Sequence, residues 1–352
     1  MILADLKITY LRNLSSLHLI LNPRFNFIIG PNGSGKTSIL EALYLLSCGH
    51  SFRSREIAPV ISHEHHALTV FARAYDESTI SIQKSATQPT HIKLNNQFCS
   101  TTSQIAYALP CQFFYSDIFQ IIDAGASVRR SVLDWGLFHV KPNYLTLWKE
   151  YKKILKQRNA LLKIKAPYAQ FIPWDKQLAS IAEQLDLLRT EYFCSWQEQF
   201  AKVLSQLTPN PCTINYYKGW DKKNSGKSLM EILQDTFDSD KHKSYTQNGA
   251  HQADIFIESK DFKAKNTLSR GQQKIILIAL KLAQGQLISG DCLYLFDDLA
   301  AELDNEHQQN ILNYLNAHKG QYVITNINPM NVSNQISSDF LREFNIHSGT
   351  LL

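Results

Sequence analysis

The sequence predicts an α/β fold that is interrupted by a mainly helical insertion, and three observations carry this prediction. An apolar strand at 25–29 runs into a glycine-rich loop at 30–37, which opens an amphipathic helix. A second apolar strand, at 293–296, ends in two aspartates. Between them, the stretch 141–207 contains no glycine, and its apolar residues recur with helical spacing.

The domain boundaries follow from this change in composition and spacing along the chain. Its length of 352 residues suits one large domain or two. We expect a discontinuous α/β head at 1–116 and 250–352, with a helical arm, or lid, at 117–249. The arm should contain two or three long helices, broken near Pro167 and Pro173. A looser region at 208–249 should close it.

The head is expected to hold a mostly parallel sheet around the helix that begins at Lys36, with an antiparallel N-terminal part. Alternation of apolar and polar residues, and apolar runs bounded by turn residues, indicate the strands. A turn is expected at Arg12-Asn13. The strands lie at about 1–10, 17–21, 25–29, 66–75, 79–84 and 91–94.

The glycine-rich loop has the chemistry of a nucleotide-phosphate site. Its residues fit the P-loop pattern G-x-x-x-x-G-K-[ST]: Gly30, Pro31, Asn32, Gly33, Ser34, Gly35, Lys36 and Thr37. Backbone N–H groups and the helix N-terminus attract phosphate oxygens, Lys36 adds a positive charge, and the Thr37 hydroxyl can bind Mg²⁺. A chance glycine turn is disfavoured because the loop joins a strand to a helix. The sequence contains no Asn-Lys-x-Asp guanine motif, which favours ATP over GTP.

Asp297-Asp298 has the pattern of a Walker B strand end. Asp297 would hold Mg²⁺, and Asp298 would orient or deprotonate the attacking water. An exposed turn is the alternative for two such aspartates, but the accompanying P-loop favours the catalytic interpretation.

Ser269 stands at the N-terminus of an apolar helix, in the sequence Leu268-Ser269-Arg270-Gly271-Gln272. Ser269 and the backbone around Gly271 could form a second phosphate contact. An ordinary serine N-cap explains the same residues, and both interpretations stay open.

Together these elements resemble the ABC-type ATPase heads of transporters, SMC proteins and RecF repair proteins, the last over essentially the whole chain. Leu268–Gln272 resembles the ABC signature Leu-Ser-Gly-Gly-Gln, and Glu302-Leu303-Asp304 resembles the D-loop. The stretches similar to the RecF family are Tyr10-Leu11-Arg12-Asn13, Ser51-Phe52-Arg53, Arg129-Arg130, Leu133-Asp134-Trp135-Gly136, Lys156-Gln157-Arg158-Asn159, Pro173-Trp174-Asp175, and 30–37, 249–254, 267–274 and 293–304.

The resemblance implies that ATP, with Mg²⁺, drives two copies of the chain together. Arg12, Asn13, Ser269 and Gly271 would then contact nucleotide, with Ser269 acting on the partner copy's P-loop. The homodimer would grip single-stranded, gapped or duplex DNA and act with RecR and RecO. Recombinase loading and the SOS response would follow in the same pathway.

Two departures from transporter heads predict slow hydrolysis. Asp298 replaces the usual glutamate, and Thr325-Asn326 stands where transporters place a histidine. A transporter subunit would need a Gly-Gly-Gln signature and usually that histidine, and this chain has neither. An insertion that is short and has no heptads argues against an SMC-like structural protein. No run of apolar residues is long enough to cross a bilayer. Six scattered cysteines without a CxxC pair fit a reduced, cytoplasmic protein.

Charge indicates where DNA could bind. The chain carries a net charge of +5 with a pI near 8.7, which is only mildly basic. A helix at 148–158 would present four lysines on one face and bury the opposite face: Lys149, Lys152, Lys153 and Lys156. A solvated surface is the alternative, and Arg53, Arg129 and Arg130 are the next candidates for DNA contacts.

Overall fold

The computed structural model describes residues 1–259, 262–263, 268–327 and 336–352, with the backbone alone described at 116–117 and 262–263. These residues form two compact units, and each is assembled from separate stretches of chain. The first unit comprises Met1–Ile118, Gln206–Thr208 and Ile288–Leu352. The second comprises Phe119–Ser205 and Pro209–Leu287.

The elements are numbered in chain order. The strands are β1 (Leu3–Leu11), β2 (Leu14–Ile20), β3 (Phe25–Ile29), β4 (Ala67–Ala74), β5 (Thr79–Ser85), β6 (His91–Leu94), β7 (Gln97–Phe98), β8 (Cys111–Phe114), β9 (Thr213–Tyr217), β10 (Asp254–Ser259), β11 (Phe262–Lys263), β12 (Leu293–Phe296), β13 (Gln321–Asn326), β14 (Leu341–His347) and β15 (Thr350–Leu351). The α-helices are α1 (Lys36–Cys48), α2 (Thr102–Ala108), α3 (Gln120–Asp123), α4 (Ala126–Val140), α5 (Tyr144–Lys163), α6 (Ile172–Leu207), α7 (Leu229–Asp235), α8 (Phe237–Lys243), α9 (Arg270–Gln286) and α10 (Asn305–Ala317).

One sheet of the first unit is antiparallel, with the strand order β2-β1-β4-β5-β6-β7. Along β4 the buried residues alternate with more exposed ones, so one face of the strand packs on the core. The predicted N-terminal strands and the turn at Arg12-Asn13 are confirmed.

The second sheet of this unit has the order β15-β14-β3-β13-β12-β8, and its strands are parallel except for β15. Every residue of β3, β8, β12 and β13 is buried, as expected for strands that are covered on both faces. Helix α1 contacts strands of both sheets and joins one apolar core with them. The predicted parallel sheet around the loop helix is confirmed.

Helices dominate the second unit, where β9, β10 and β11 form a small antiparallel sheet. The predicted helix break near Pro167 is confirmed, since α5 ends at Lys163 and α6 begins at Ile172. The same break accounts for the prediction near Pro173, because α6 begins at Ile172 and Pro173 lies in its first turn. Proline is tolerated in the first turn of a helix, where its missing N–H has no intrahelical partner in any case.

The observed units differ from the predicted domain boundary at residue 250, because 250–287 groups with the second unit. Helix α9 is tied to the other helices of that unit by buried polar contacts. Trp196 Nε1 donates to the Leu280 carbonyl at 2.9 Å. Gln284 Nε2 donates to the Val132 carbonyl at 2.8 Å and to the Tyr192 hydroxyl at 3.1 Å.

Residues 246–254, which we call the connector, bring the chain from α8 to β10. Side chains of α4, α5 and α6 hold them at five points. These contacts are Arg158 Nη1 to Thr246 Oγ1 (2.7 Å), Arg189 Nη1 to Ala250 O (2.7 Å), Tyr151 Oη to His251 Nδ1 (2.7 Å), Arg130 Nη1 to Ala253 O (2.8 Å) and Arg129 Nε to Asp254 Oδ1 (2.8 Å). The connector therefore belongs to the helical unit.

Among the described residues, no helix combines the length and the apolar character that a membrane crossing needs.

Candidate nucleotide site

The phosphate loop lies between the end of β3 and the start of α1. Gly35 caps α1 with a φ of 112°, a left-handed conformation that favours glycine. At Gly30, the carbonyl oxygen of Ile346 occupies the space that a Cβ atom would need. These two glycines allow the loop to turn tightly and to lie close against β14.

Asn13 supports this loop from the β1–β2 turn, where the sequence predicts a nucleotide contact. Its Nδ2 donates to the Gly33 carbonyl at 3.2 Å, and its Oδ1 accepts from Ser38 Oγ at 3.0 Å. The neighbouring Arg12 donates two hydrogen bonds of 3.0 Å to the buried carboxylate of Glu41. Arg12 therefore lies beside the loop with its guanidinium paired, and its contact with nucleotide stays a prediction.

Lys36 folds back over the loop that precedes it. Its Nζ donates to the carbonyls of Gly30 at 2.7 Å and Pro31 at 2.9 Å. Burial lowers the pKa of Lys36, while the charges of Asp298 and Asp297 act in the opposite direction. The ammonium group is thus held by the loop carbonyls and feels the charges of the two aspartates at the Walker B strand end.

Thr37 links the loop to that strand end, across 260 residues of sequence. Its Oγ1 donates to Asp297 Oδ1 at 3.0 Å, with Oδ2 at 3.3 Å. A hydroxyl and a carboxylate are oxygen ligands of the kind that Mg²⁺ prefers. The two predicted metal ligands are thus brought together.

Thr325 is a site residue whose role the sequence did not predict. Its buried hydroxyl lies 3.0 Å from Asp297 Oδ1 and accepts from the Asp298 N–H at 3.0 Å. In the sequence, Thr325 stands out only because Thr325-Asn326 occupies the place where transporter heads have a histidine. Its contact with the aspartates depends on the pairing of β12 with β13, which cannot be read from either segment alone.

The residues of the loop fit a nucleotide triphosphate with Mg²⁺. Within the described part of the chain, Ser34 Oγ is buried without a hydrogen-bond partner. A polar atom of this kind is costly unless a ligand or water pairs with it. Ser34 Oγ, the Lys36 ammonium and the N-terminus of α1 together form a phosphate site, and the Thr37–Asp297 pair forms a metal site beside it.

Ser269 and Gly271 lie in the second unit, at the start of α9. Ser269 Oγ accepts from the Gln272 N–H at 3.3 Å, and Gln272 Oε1 accepts from the Ser269 N–H at 3.0 Å. This capping box shows that the N-cap interpretation is correct for a single chain. Ser269 is exposed, and its contact with a second copy's nucleotide stays a prediction. Thr267, at the start of the signature-like stretch, lies outside the described residues.

The lysine face predicted on α5 has the expected geometry. Tyr151 and Ile154 are buried in the second unit, whereas the four lysines are exposed: Lys149, Lys152, Lys153 and Lys156. The other candidates for DNA contacts differ. Arg53 is exposed, but Arg129 and Arg130 are engaged by Asp254 and by the Ala253 carbonyl.

Comparison with known proteins agrees with this geometry. Residues 2–345 match the family described as the RecF/RecN/SMC N terminal domain. The chain is 35% identical over 359 residues to the DNA replication and repair protein RecF of Escherichia coli strain K12 / DH10B, covering 100% of this chain and 99% of the relative. The same values hold for RecF of Escherichia coli O157:H7 (strain EC4115 / EHEC).

Solved structures show the same fold. The recombination mediator protein RecF-ATP in the RecFOR pathway superposes with a TM-score of 0.84 at 25% identity, covering 99% of this chain and 96% of that one. An Smc head domain bound to the C-terminal domain of ScpA from Pyrococcus furiosus gives a TM-score of 0.58 at 15% identity, covering 99% and 94%. Sequence, loop geometry and fold lead to one conclusion: the chain belongs to the RecF family, within the larger group of RecF/RecN/SMC ATPase heads.

Proposed function

We propose that the chain is an ATP-dependent DNA-binding protein of replication and repair that acts in the cytoplasm. ATP joins two copies into a dimer, and the dimer holds single-stranded, gapped or duplex DNA. The observation that carries this proposal is the Thr37–Asp297 contact, because it forms a phosphate-and-metal site in a chain whose whole length aligns with RecF.

Each side chain of the site has a proposed role. Lys36 holds the phosphate oxygens, Thr37 and Asp297 bind Mg²⁺, and Asp298 orients or deprotonates the attacking water. Bound Mg²⁺ supplies charge neutralisation at the phosphates. Asp298 is shorter than the glutamate of transporter heads, which supports slow hydrolysis that DNA could stimulate. RecR and RecO are the proposed partners, in a pathway that supports recombinase loading and the SOS response.

Binding of labelled DNA with and without ATP tests the function. Single-stranded, gapped and duplex DNA should be compared by fluorescence anisotropy, with ADP as the control nucleotide. We expect ATP to increase the affinity for at least one of the three, since only the dimer presents two DNA-binding surfaces. Equal affinities with ATP, with ADP and without nucleotide would contradict the proposal.

Ser269→Arg is expected to abolish ATP-driven dimerisation while ATP affinity stays within about twofold of wild type. The reason is steric: a long side chain would stand where the partner's nucleotide should dock. Light scattering with and without ATP measures the assembly. Ser195→Arg, at an exposed site on α6, is the matched control and should still dimerise. If the Ser269→Arg protein dimerises normally, Ser269 serves only as a helix cap.

Replacing Lys149, Lys152 and Lys156 by alanine is expected to weaken DNA binding regardless of base sequence. Each lost phosphate contact lowers the slope of log affinity against log salt by about 0.9 on duplex DNA, so three contacts lower it by about 2.7. Salt titrations measure this slope. A triple alanine variant at Lys202, Lys222 and Lys223, which are also exposed lysines of the second unit, removes the same net charge elsewhere. Identical salt slopes for the two variants would rule out the lysine face of α5 as a DNA contact. ATP binding should be unchanged in both variants.

A further inference from the structure

Thr325 is the next-to-last residue of β13 and is fully buried. Strands β12 and β13 pair in parallel, with Phe296 opposite Ile324. The two strands therefore end side by side, and Thr325 lies next to the first residues that follow β12, which are Asp297 and Asp298.

The hydroxyl of Thr325 can serve both aspartates at once. A hydroxyl has one proton to donate and lone pairs with which to accept. The proton can go to Asp297 Oδ1 at 3.0 Å or to the Phe296 carbonyl at 3.3 Å. The carboxylate is the closer acceptor and carries the charge, so it is preferred. The oxygen meanwhile accepts the Asp298 N–H at 3.0 Å.

The turn that this hydroxyl supports is a strained one. Asp298 has a φ of 52°, in the left-handed region that residues other than glycine adopt at a cost. Strained residues persist only when the surrounding structure holds them in place. The Asp297 N–H donates to the Phe114 carbonyl of β8 at 2.8 Å, so the first aspartate is anchored to the neighbouring strand as well.

We propose that Thr325 is a positioning residue for the Walker B pair: its hydroxyl orients the Asp297 carboxylate toward the metal site and holds Asp298 in its left-handed conformation. This inference rests on the proposed ATPase function, because the two aspartates matter chemically only if the site hydrolyses ATP. Thr325 acts through the aspartates and does not itself contact the reacting atoms.

Thr325→Val and Thr325→Ser test the proposal, since valine keeps the shape of threonine and loses the hydroxyl, whereas serine keeps the hydroxyl. The first measurement is amide hydrogen exchange at Asp298 without nucleotide. We expect exchange about tenfold faster in Thr325→Val, the effect of losing one hydrogen bond worth about 1.4 kcal/mol. Thr325→Ser should stay within about threefold of wild type, and Thr69→Val, in β4 of the antiparallel sheet, should not change exchange at Asp298.

The second measurement is steady-state ATP hydrolysis across a range of Mg²⁺ concentrations. Thr325→Val should lower kcat about tenfold and raise the Mg²⁺ requirement, with ATP affinity within about threefold of wild type and recovery in Thr325→Ser. Unchanged exchange at Asp298 in Thr325→Val would overturn the proposal. So would faster exchange spread evenly over β12 and β13, because the hydroxyl would then stabilise the sheet and not the turn. Wild-type protein that hydrolyses no ATP would count against the proposed function alone, since the exchange measurement does not depend on it.

Discussion

Lys36→Ala should lose stable ATP binding while the protein stays folded. The Lys36 ammonium is the cation of the phosphate loop and is held by the carbonyls of Gly30 and Pro31. A hydrogen bond to a charged group is worth about 1.5–3 kcal/mol. Losing two such contacts with phosphate oxygens would lower the affinity by about a hundredfold or more.

Calorimetric titration with ATP and Mg²⁺ measures this loss, and a melting curve checks the fold. Lys7→Ala removes an exposed lysine from β1 of the same unit and should bind ATP like wild type. Lys36→Met keeps most of the side-chain volume and should lose binding as Lys36→Ala does. If folded Lys36→Ala binds ATP with wild-type affinity, the phosphate-loop assignment is wrong.

Arg158→Ala should destabilise the protein by about 3–5 kcal/mol, because it leaves two buried carboxylates without their cation. Arg158, Asp175 and Asp240 are all fully buried. Arg158 Nε lies 2.6 Å from Asp175 Oδ1, and Nη1 lies 2.8 Å from Asp240 Oδ2. The three side chains join α5, α6 and α8, so the variant should unfold first in the second unit. Thermal and urea denaturation followed by circular dichroism measure the change.

Two comparisons separate the loss of charge pairing from the loss of packing. Lys156→Ala, at an exposed position of the same helix, should change stability by less than about 0.5 kcal/mol. Arg158→Met combined with Asp175→Leu and Asp240→Leu removes the whole charged group and should recover part of the loss, although Gln247 then loses Asp240 as its acceptor. An Arg158→Ala protein within 1 kcal/mol of wild type would mean that the ion network contributes little.

The pH dependence of the Arg158→Ala variant has a definite sign. Burial already raises the pKa of Asp175 above its ordinary 3.8, although the Arg158 charge opposes the shift. Without Arg158 the folded-state pKa of Asp175 rises further. At pH values between the unfolded-state and the folded-state pKa of this carboxyl, the folded state therefore binds more protons than the unfolded state. The stability lost in the variant should therefore be partly regained as the pH falls from neutral toward 4.

Local patterns were enough to predict the phosphate loop and the lysine face. The loop is defined by eight consecutive residues and by the strand and helix that flank it, and Lys36 begins α1 as expected. The face of α5 follows from a spacing of three and four residues, which is set by the helix itself. Both features depend only on residues that are close to one another in the chain, so the sequence alone is enough to predict them.

Features that depend on distant neighbours could not be predicted in this way. The role of Thr325 depends on the pairing of β12 with β13, and residue 325 lies far from residue 297 in the sequence. The boundary at residue 250 was misplaced because the strand and helix patterns of β10 and α9 resemble those of the head. Buried side chains such as Trp196 and Arg189 nevertheless hydrogen-bond these segments to the helices of the second unit. Burial and partners of such side chains appear only in the folded chain.

The five contacts of the connector also set its length. One residue advances the chain by about 2 Å in a 3₁₀ turn, such as Ala250–Gln252, and by about 3.3 Å where the chain is extended. Inserting or deleting one residue between Thr246 and Asp254 would therefore shift the groups at one end out of reach of their partners. Hydrogen bonds weaken steeply over much less than that distance. These nine residues, which include a 3₁₀ turn at Ala250–Gln252 and the first residue of β10, thus act as a spacer of fixed size, in contrast to most surface loops, where changes in length are tolerated. Substitution of Thr246, His251 or Asp254 would remove one such contact, whereas a change in the number of residues would displace several of them at once.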